Sequence, residues 1–161
     1  GSLAIPTSRR EDGRLRHYAE RCSGTLLAPP GGGDAQLVLS AWHCLEYYTD
    51  LSREIRFEIT DTRGRALRRR ARTVASGGGM AADWALLELD RPIPAGRSAA
   101  AELHPGTLAP GALLAMAGFS GDPGLGAGGD RLTYDPAENL FFVNFDSFQA
   151  RSPVIVFSAH E

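Results

Sequence analysis

The sequence predicts an all-β fold, and three observations support that prediction. Short runs of apolar and β-branched residues recur along the chain, and stretches rich in glycine or proline separate them. The helical repeat of 3.6 residues is weak throughout. With 161 residues, 43% of them hydrophobic, the chain has the size and composition of one globular domain or of two small sub-domains that share a core.

The predicted elements are short strands with turns between them. Two apolar runs, residues 22–27 and 37–44, flank the turn-rich segment APPGGGD and predict a hairpin with a long loop. Residues 55–59 (IRFEI) alternate apolar and polar side chains, which is typical of a half-buried strand. Short helical turns are expected over residues 45–48 and 97–102. Further strands are expected at residues 72–75, 84–89, 112–117, 140–145 and 154–157.

Composition and charge exclude several classes of protein. The net charge is −2, which argues against a protein built mainly to bind nucleic-acid phosphates. No apolar stretch approaches the ~20 residues of a membrane-spanning helix. Four histidines and two cysteines offer few ligands, so we predict neither a metal site nor a cofactor.

Two motifs resemble ligand sites but are better interpreted as ordinary structure. Residues 124–129 (GLGAGG) fit the glycine pattern of a dinucleotide-binding loop, yet no amphipathic helix follows them, so we interpret them as a surface loop. The run Arg68-Arg69-Arg70, with Arg72 beyond it, could bind an anion. No aromatic residues interleave this run. We therefore expect a solvated strand at the edge of a sheet, where charges discourage edge-to-edge pairing.

The two cysteines bracket the predicted hairpin. Cys22 opens its first run and Cys44 closes its second. A hairpin can bring its outer ends together, so a Cys22–Cys44 disulfide is compatible with the geometry, and so are two buried free thiols. A disulfide favours an oxidising location, so we expect a secreted or periplasmic protein.

The strongest candidates for chemistry are His43 and Asp83. Asp83 leads directly into an apolar run, so its carboxylate is expected to be partly buried and to need a hydrogen-bond donor. An imidazole N–H is a suitable donor, because the carboxylate then fixes the tautomer of the ring and supports the imidazolium ion. The sequence separation leaves room for intervening strands to return. We therefore expect a hydrogen bond between His43 and Asp83.

The motifs around these residues resemble those of the trypsin-like serine peptidases, whose patterns are C-[GS]-G-[ST]-L-[IL], [LI]-[TS]-A-[AG]-H-C and D-[IV]-A-L-[LI]. The matching segments, in the family's order, are residues 22–27 (CSGTLL), 39–44 (LSAWHC) and 83–87 (DWALL). Trp42 and Trp84 depart from the patterns, but each replaces one apolar residue with another. Residues 117–121 (AGFSG) are similar to the segment that opens the second barrel in bacterial glutamyl-endopeptidase-like members. The resemblance, which is close over residues 22–89, implies a Cys22–Cys44 disulfide.

Two registers place the family's nucleophile motif, G-[DNQ]-S-G-[GS]-P-[VL], on this chain. When the motif is aligned from its left side, on Asp146-Ser147-Phe148, Ser152 takes the position of the nucleophile and Ala150 takes that of the first glycine. Aligned from the right on the Ser-Pro-Val run, the nucleophile position is Ala150, and the protein is a catalytically inactive relative. We favour Ser152.

The resemblance implies a chymotrypsin-like double β-barrel. Residues 3–92 are expected to form the N-terminal barrel, which carries His43 and Asp83. Residues 93–109 are expected to connect it to a C-terminal barrel over residues 110–161, which carries the nucleophile. Few residues follow the nucleophile, so we expect this second barrel to be short or incomplete.

The resemblance also implies a serine endopeptidase that acts on a peptide or protein substrate. Ser152 is the expected nucleophile, His43 the general base and Asp83 the residue that orients it. The backbone N–H groups of Ala150 and Ser152 are expected to form the oxyanion hole. We expect weak activity that depends on a completing segment or protein partner. The alternative is an inactive pseudopeptidase that binds a peptide or a protein.

Overall fold

The computed structural model describes residues 1–103, 113–115, 131–135 and 140–143. Within these residues it has ten strands and one 3₁₀ helix, Trp42–Leu45, which confirms the predicted all-β fold. The strands are β1 (Ser2–Glu11), β2 (Arg14–Ser23), β3 (Thr25–Leu27), β4 (Ala35–Ser40), β5 (Ile55–Thr60), β6 (Ala66–Ser76), β7 (Ala85–Ile93), β8 (Leu113–Ala115), β9 (Arg131–Asp135) and β10 (Leu140–Val143).

The first seven strands form one curled antiparallel sheet in the order β2-β1-β5-β6-β7-β4-β3. Its two outer strands, β2 and β3, follow each other in the chain and are separated only by Gly24. The amino group of Gly1 donates a hydrogen bond to the carbonyl of Gly24 at 2.7 Å, and the N–H of Gly24 donates one back to the carbonyl of Gly1 at 2.8 Å. These two hydrogen bonds extend the β1–β2 ladder by one pair. Because β2 continues into β3 through Gly24, the two outer strands of the curled sheet meet at this residue, which gives the sheet a barrel-like shape.

Gly24 also explains why the chain can turn at this junction. A Cβ at this position would lie 2.8 Å from Cγ1 of Val38 and 3.0 Å from Cδ1 of Leu3, both of which are core side chains. Since real Cβ atoms do not approach so closely, only glycine fits where the sheet closes.

The core lies on the concave face of the curled sheet. Alternate residues point inward, as the two-residue period of a strand requires. The large apolar side chains that are almost fully buried are Leu3, Ile5, Leu26, Val38, Ile55, Phe57, Leu87, Leu89 and Ile93. Each contributes about 1.5–3 kcal/mol through the hydrophobic effect, so this set is the main source of stability of the sheet.

A long hairpin of β1 and β2 was not expected from the sequence. Its turn consists of Asp12 and Gly13 alone, at φ angles of 51° and 75°, which are the left-handed values that a two-residue turn of type I′ requires. The Asp-Gly dipeptide was the available signal. The charged residues that surround it carry almost no apolar alternation, and Arg14 to Ala19 are all exposed.

Most of the predicted strands are present. The predicted hairpin is the β3–β4 pair, and the run at residues 55–59 lies in β5. The runs at 72–75, 84–89, 112–117 and 140–145 overlap β6, β7, β8 and β10, whereas 154–157 lies outside the described residues. The expected turn after Cys44 overlaps the end of the 3₁₀ helix.

The predicted helix over residues 97–102 is wrong. Ala101 instead forms a parallel bridge with Leu27. Its N–H donates to the carbonyl of Leu26 and its carbonyl accepts from the N–H of Ala28, both at 2.8 Å. Because these backbone groups extend the sheet beyond β3, they cannot also form a helical turn.

The arginine run is solvated, as expected, but it does not lie at a sheet edge. It belongs to β6, a central strand between β5 and β7. Arg70 pairs with both Glu54 at 2.9 Å and Asp90 at 3.2 Å, and Arg72 pairs with Glu88. Acidic side chains in β7 and just before β5 therefore neutralise Arg70 and Arg72, which permits a central position.

The remaining described strands form a second, three-stranded antiparallel sheet in the order β10-β9-β8. The first sheet ends at Ile93, where the connecting segment was predicted to begin, but the domain boundaries at 92 and 110 stay predictions. No helix in the described residues is long and apolar enough to cross a membrane.

Candidate active site

His43 lies in the 3₁₀ helix that follows β4. Ala41, which precedes the helix, is extended at φ −89° and ψ 145°, so the chain leaves the strand directly into the turn that carries the imidazole. Cys44 is buried against the core and forms a disulfide with Cys22 near the end of β2, with a Cα–Cα distance of 6.3 Å. The expected disulfide is therefore confirmed, and it links the residue next to His43 to the opposite edge of the sheet.

A hydrogen bond of Ser40, four residues before Cys44, makes a second connection to the end of β2. The buried hydroxyl of Ser40, the last residue of β4, donates a hydrogen bond to the carbonyl of Ser23 at 2.8 Å. This hydrogen bond joins the end of β4 to the end of β2, and the disulfide joins the 3₁₀ helix to the end of β2. They fix the backbone from which the side chain of His43 projects.

Asp83 is presented by the tight loop between β6 and β7. The N–H of Gly77 donates to the carbonyl of Trp84 at 2.9 Å, and the N–H of Ala82 donates to the carbonyl of Gly79 at 3.1 Å. A Cβ on Gly77 would lie 1.9 Å from the carbonyl oxygen of Ala82, so the two backbone segments approach as closely as glycine alone permits. Gly77 was not identified from the sequence, although the run of three glycines before Asp83 was a usable signal.

The side chains of His43 and Asp83 meet as the sequence predicted. The carboxylate of Asp83 has no exposed surface, whereas 45% of the imidazole is exposed. Oδ2 of Asp83 accepts a hydrogen bond from Nδ1 of His43 at 2.7 Å. Oδ1 accepts a second one from the backbone N–H of the same residue at 2.8 Å. The carboxylate thus holds both the ring and the backbone of His43.

This arrangement leaves the imidazole able to exchange a proton on its other side. A carboxylate only accepts hydrogen bonds, so Nδ1 carries the proton and Nε2 carries the lone pair in the neutral ring. Within the described part of the chain, no hydrogen bond engages Nε2. A positive charge formed on the ring is stabilised by a carboxylate that lies out of water, where electrostatic attraction is stronger than at the surface.

A groove lies between the 3₁₀ helix that carries His43 and strand β6. Its volume is about 370 Å³. One wall is apolar and comes from the 3₁₀ helix and the loop after it, and the other comes from β6. The lining residues are Trp42, Leu45, Tyr48, Leu51, Arg72, Thr73 and Ser76. This groove can therefore accept an apolar side chain.

The described residues contain no group of three or more His, Cys, Asp or Glu that could hold a metal ion. The two residues of the predicted oxyanion hole, Ala150 and Ser152, lie outside the described residues, so the position of the nucleophile stays a prediction. Comparisons of the chain with protein-family models, with curated proteins and with solved structures found no match, so the inference of function depends on the geometry of His43 and Asp83.

Proposed function

We propose that this protein is a trypsin-like serine peptidase of the bacterial glutamyl-endopeptidase-like kind. In this proposal Ser152 is the nucleophile, His43 the general base and Asp83 the residue that orients the base. The observation that carries the proposal is the pairing of a fully buried carboxylate with a half-exposed imidazole through Nδ1. A buried acid on Nδ1 and a free Nε2 are what a serine hydrolase requires of its histidine.

The reaction is peptide-bond hydrolysis through an acyl-enzyme. Nε2 of His43 removes the proton from Oγ of Ser152 as the oxygen attacks the carbonyl carbon of the substrate. The backbone N–H groups of Ala150 and Ser152 stabilise the oxyanion. The tetrahedral intermediate then collapses, the C–N bond breaks, and His43 gives its proton to the leaving amine. Water repeats the sequence on the ester and regenerates the serine.

We extend the proposal to the fold and the location of the protein. The curled sheet that closes at Gly24 supports a first barrel over residues 3–92, and the three-stranded sheet of β8, β9 and β10 supports a second one over residues 110–161. Together they correspond to a chymotrypsin-like double β-barrel with its catalytic groups between the barrels. The disulfide between Cys22 and Cys44 supports a secreted or periplasmic location.

One feature of the sequence favours a competing role. If the Ser-Pro-Val run at residues 152–154 aligns with the family's own Ser-Pro-Val, Ala150 occupies the place of the nucleophile. The scaffold then retains His43 and Asp83 but binds a peptide or a protein without cleaving it. The two roles differ in a single property, namely the presence of a serine activated by His43.

Labelling with a fluorophosphonate tests that property directly, because an unactivated serine scarcely reacts. We expect the wild-type protein to be labelled, and peptide mapping to place the label on Ser152. Ser152→Ala and His43→Ala should abolish the labelling. Ser147→Ala is the matched control, since this serine lies in the same segment, and it should label like the wild type.

Two results contradict the proposal. Absence of labelling in the folded wild-type protein indicates the inactive binding role. Labelling that persists at an undiminished rate in His43→Ala shows that the serine reacts without the histidine, and the contact between His43 and Asp83 is then structural.

A further inference from the structure

Strand β2 presents an open edge along the hairpin. Within the described residues β2 pairs only with β1, over the ten positions from Arg14 to Ser23. In an antiparallel pair every second residue directs its N–H and C=O groups away from the neighbouring strand. Among the described residues, the outer side of β2 therefore offers a row of donors and acceptors between Arg14 and Arg21 to which another strand can add, whereas Ser23 at the end of the strand accepts a hydrogen bond from Ser40.

The hairpin is also strongly basic. Residues 9–21 contain five arginines, against the acidic residues Glu11, Asp12 and Glu20. Two of these acids already have partners. Glu20 forms an ion pair with Arg9. Glu11 forms an ion pair with Arg16 at 3.5 Å and also accepts a hydrogen bond from a tyrosine. These pairs use up Arg9 and Arg16, so the net excess of two positive charges is carried by the arginines that remain.

Four arginines are left over, of which Arg14 and Arg21 lie on β2 itself, Arg10 on β1 and Arg56 on β5. In the described part of the chain, no ion pair or side-chain hydrogen bond involves Arg10, Arg14, Arg21 or Arg56, and all four are exposed. Arg21 and Arg56 both lie opposite Ala4, on either side of it, so the two share one face of the sheet. Arg14 is an odd number of residues from Arg21 and therefore projects from the other face. An added strand would meet positive charge on both of its faces.

We propose that β2 binds an extended acidic segment of another protein, which adds to the sheet as a further strand beside Arg14–Arg21. Backbone hydrogen bonds supply the pairing, and carboxylates on both faces of the added strand meet Arg14 and Arg21. The proposal is independent of the function of His43. It requires only the edge and its charges.

Two other occupants fit the same surface less well. A second copy of the chain would bring one arginine-rich β2 against another, and like charges opposite each other are destabilising. A nucleic acid or an acidic polysaccharide matches the charge but lacks the alternating N–H and C=O groups that the edge of β2 requires. An acidic peptide matches both features.

The probe for the test is a fluorescein-labelled peptide of sequence EETTEETTEE, which presents glutamates on both faces when extended. Its affinity is measured by fluorescence anisotropy at an ionic strength of about 0.05 M, where surface charges are little screened. Amide hydrogen exchange is followed in parallel. We expect saturable binding, with slower exchange in β2 and unchanged exchange in β6.

Matched variants separate the site from general electrostatics. Arg14→Glu with Arg21→Glu should weaken binding about tenfold or more, and Arg14→Gln with Arg21→Gln should weaken it less. Arg63→Glu with Arg91→Glu changes the net charge equally at two exposed arginines outside the hairpin, and it should leave the affinity near the wild-type value. The peptide with N-methyl groups at alternate residues should bind at least tenfold more weakly, because it cannot complete the backbone pairing.

Three outcomes overturn the proposal. Equal binding of the N-methylated peptide, or of a polyphosphate of the same charge with no protection of β2, indicates a polyanion surface without strand addition. Equal weakening by both pairs of charge reversals shows that the net charge alone attracts the peptide. Concentration-dependent dimers that protect β2 without the peptide identify a second copy as the occupant.

Discussion

Asp83 holds His43 at two points, because Oδ1 accepts a hydrogen bond from the backbone N–H of His43 and Oδ2 accepts one from its ring. Both partners are donors, so both carboxylate oxygens must act as acceptors. A side chain with a single acceptor oxygen cannot satisfy this pattern. The rotation of the ring is thereby tied to the same carboxylate that fixes the backbone.

Asp83→Asn should therefore move the proton of the imidazole. The backbone N–H of His43 can only donate, so the side-chain oxygen of the new asparagine must remain its acceptor. The NH₂ group of the asparagine then faces Nδ1 of the ring. Nδ1 must then accept, and the proton passes to Nε2. In the serine peptidase proposed above, this change of tautomer should lower activity roughly 10⁴-fold, so we expect labelling by a fluorophosphonate to become undetectable.

Nitrogen NMR of the imidazoles measures the tautomer without reference to activity. We expect the ring of His43 to change from the Nδ1–H to the Nε2–H form in Asp83→Asn. His17, whose Nδ1 lies 2.9 Å from the hydroxyl of Ser8 on the β1–β2 hairpin and which forms no hydrogen bond with Asp83 among the described residues, serves as a control signal in the same spectrum. An unchanged tautomer of His43 would contradict the double hydrogen bond.

Gly77→Ala should destabilise the loop that presents Asp83. The new Cβ lies 1.9 Å from the carbonyl oxygen of Ala82, a backbone atom that cannot move aside without displacing the next residue, Asp83. Overpacking of this kind costs about 1–3 kcal/mol in the free energy of unfolding. Urea unfolding measures it. Gly79→Ala is the matched control, because its Cβ would meet no atom within 4 Å, and similar losses in the two variants would contradict the prediction.

Replacement of both Cys22 and Cys44 by alanine should lower the free energy of unfolding by about 3 kcal/mol, the value expected for a loop closed over a sequence separation of 22 residues. Urea unfolding without reductant measures the difference. A reductant should destabilise the wild-type protein by a comparable amount and leave the double variant unaffected. A difference below about 1 kcal/mol would show that hydrogen bonds such as that of Ser40 already fix the end of β4.

Local patterns in the sequence predicted the strands that bury one face. Ile55 and Phe57 alternate with charged residues, and that alternation identified β5 correctly. The burial of Asp83 also followed from local sequence, because an acid that opens an apolar strand enters the core with it. Both predictions needed only the immediate neighbours of a residue.

Predictions that depend on distant partners were less successful. The arginines on either side of Arg70 in the sequence predicted an edge strand. Its partners in the structure, Glu54 and Asp90, come from other segments of the chain. The register that brings these charges together depends on how β5, β6 and β7 pair, and no local pattern contains that information. The β1–β2 hairpin was missed for a related reason, since most of its side chains face water and leave no apolar period.

Asp61 closes the turn between β5 and β6 and connects the stability of the fold to pH. Its buried carboxylate accepts hydrogen bonds from the backbone N–H groups of Arg65 and Arg63, at 2.8 and 2.9 Å, and from the guanidinium of Arg65 at 3.1 Å. Arg97 lies 3.3 Å away on the other side. These hydrogen bonds, that of the Arg65 N–H above all, hold the pKa of Asp61 below its ordinary value of 3.8.

The sign of the pH effect follows from this lowered pKa. The folded protein binds the proton of Asp61 less readily than the unfolded chain, so the stabilisation is complete above the unfolded pKa and is lost as the pH falls through the folded one. We expect Asp61→Asn to unfold at a lower urea concentration than the wild type at pH 6. The difference between the two urea midpoints should narrow steadily below pH ~4. Glu58→Gln, which removes only an exposed partner of Arg68, should show a small gap throughout. A gap for Asp61→Asn that stays constant down to pH ~2 would show that the ionised carboxylate contributes nothing beyond its shape.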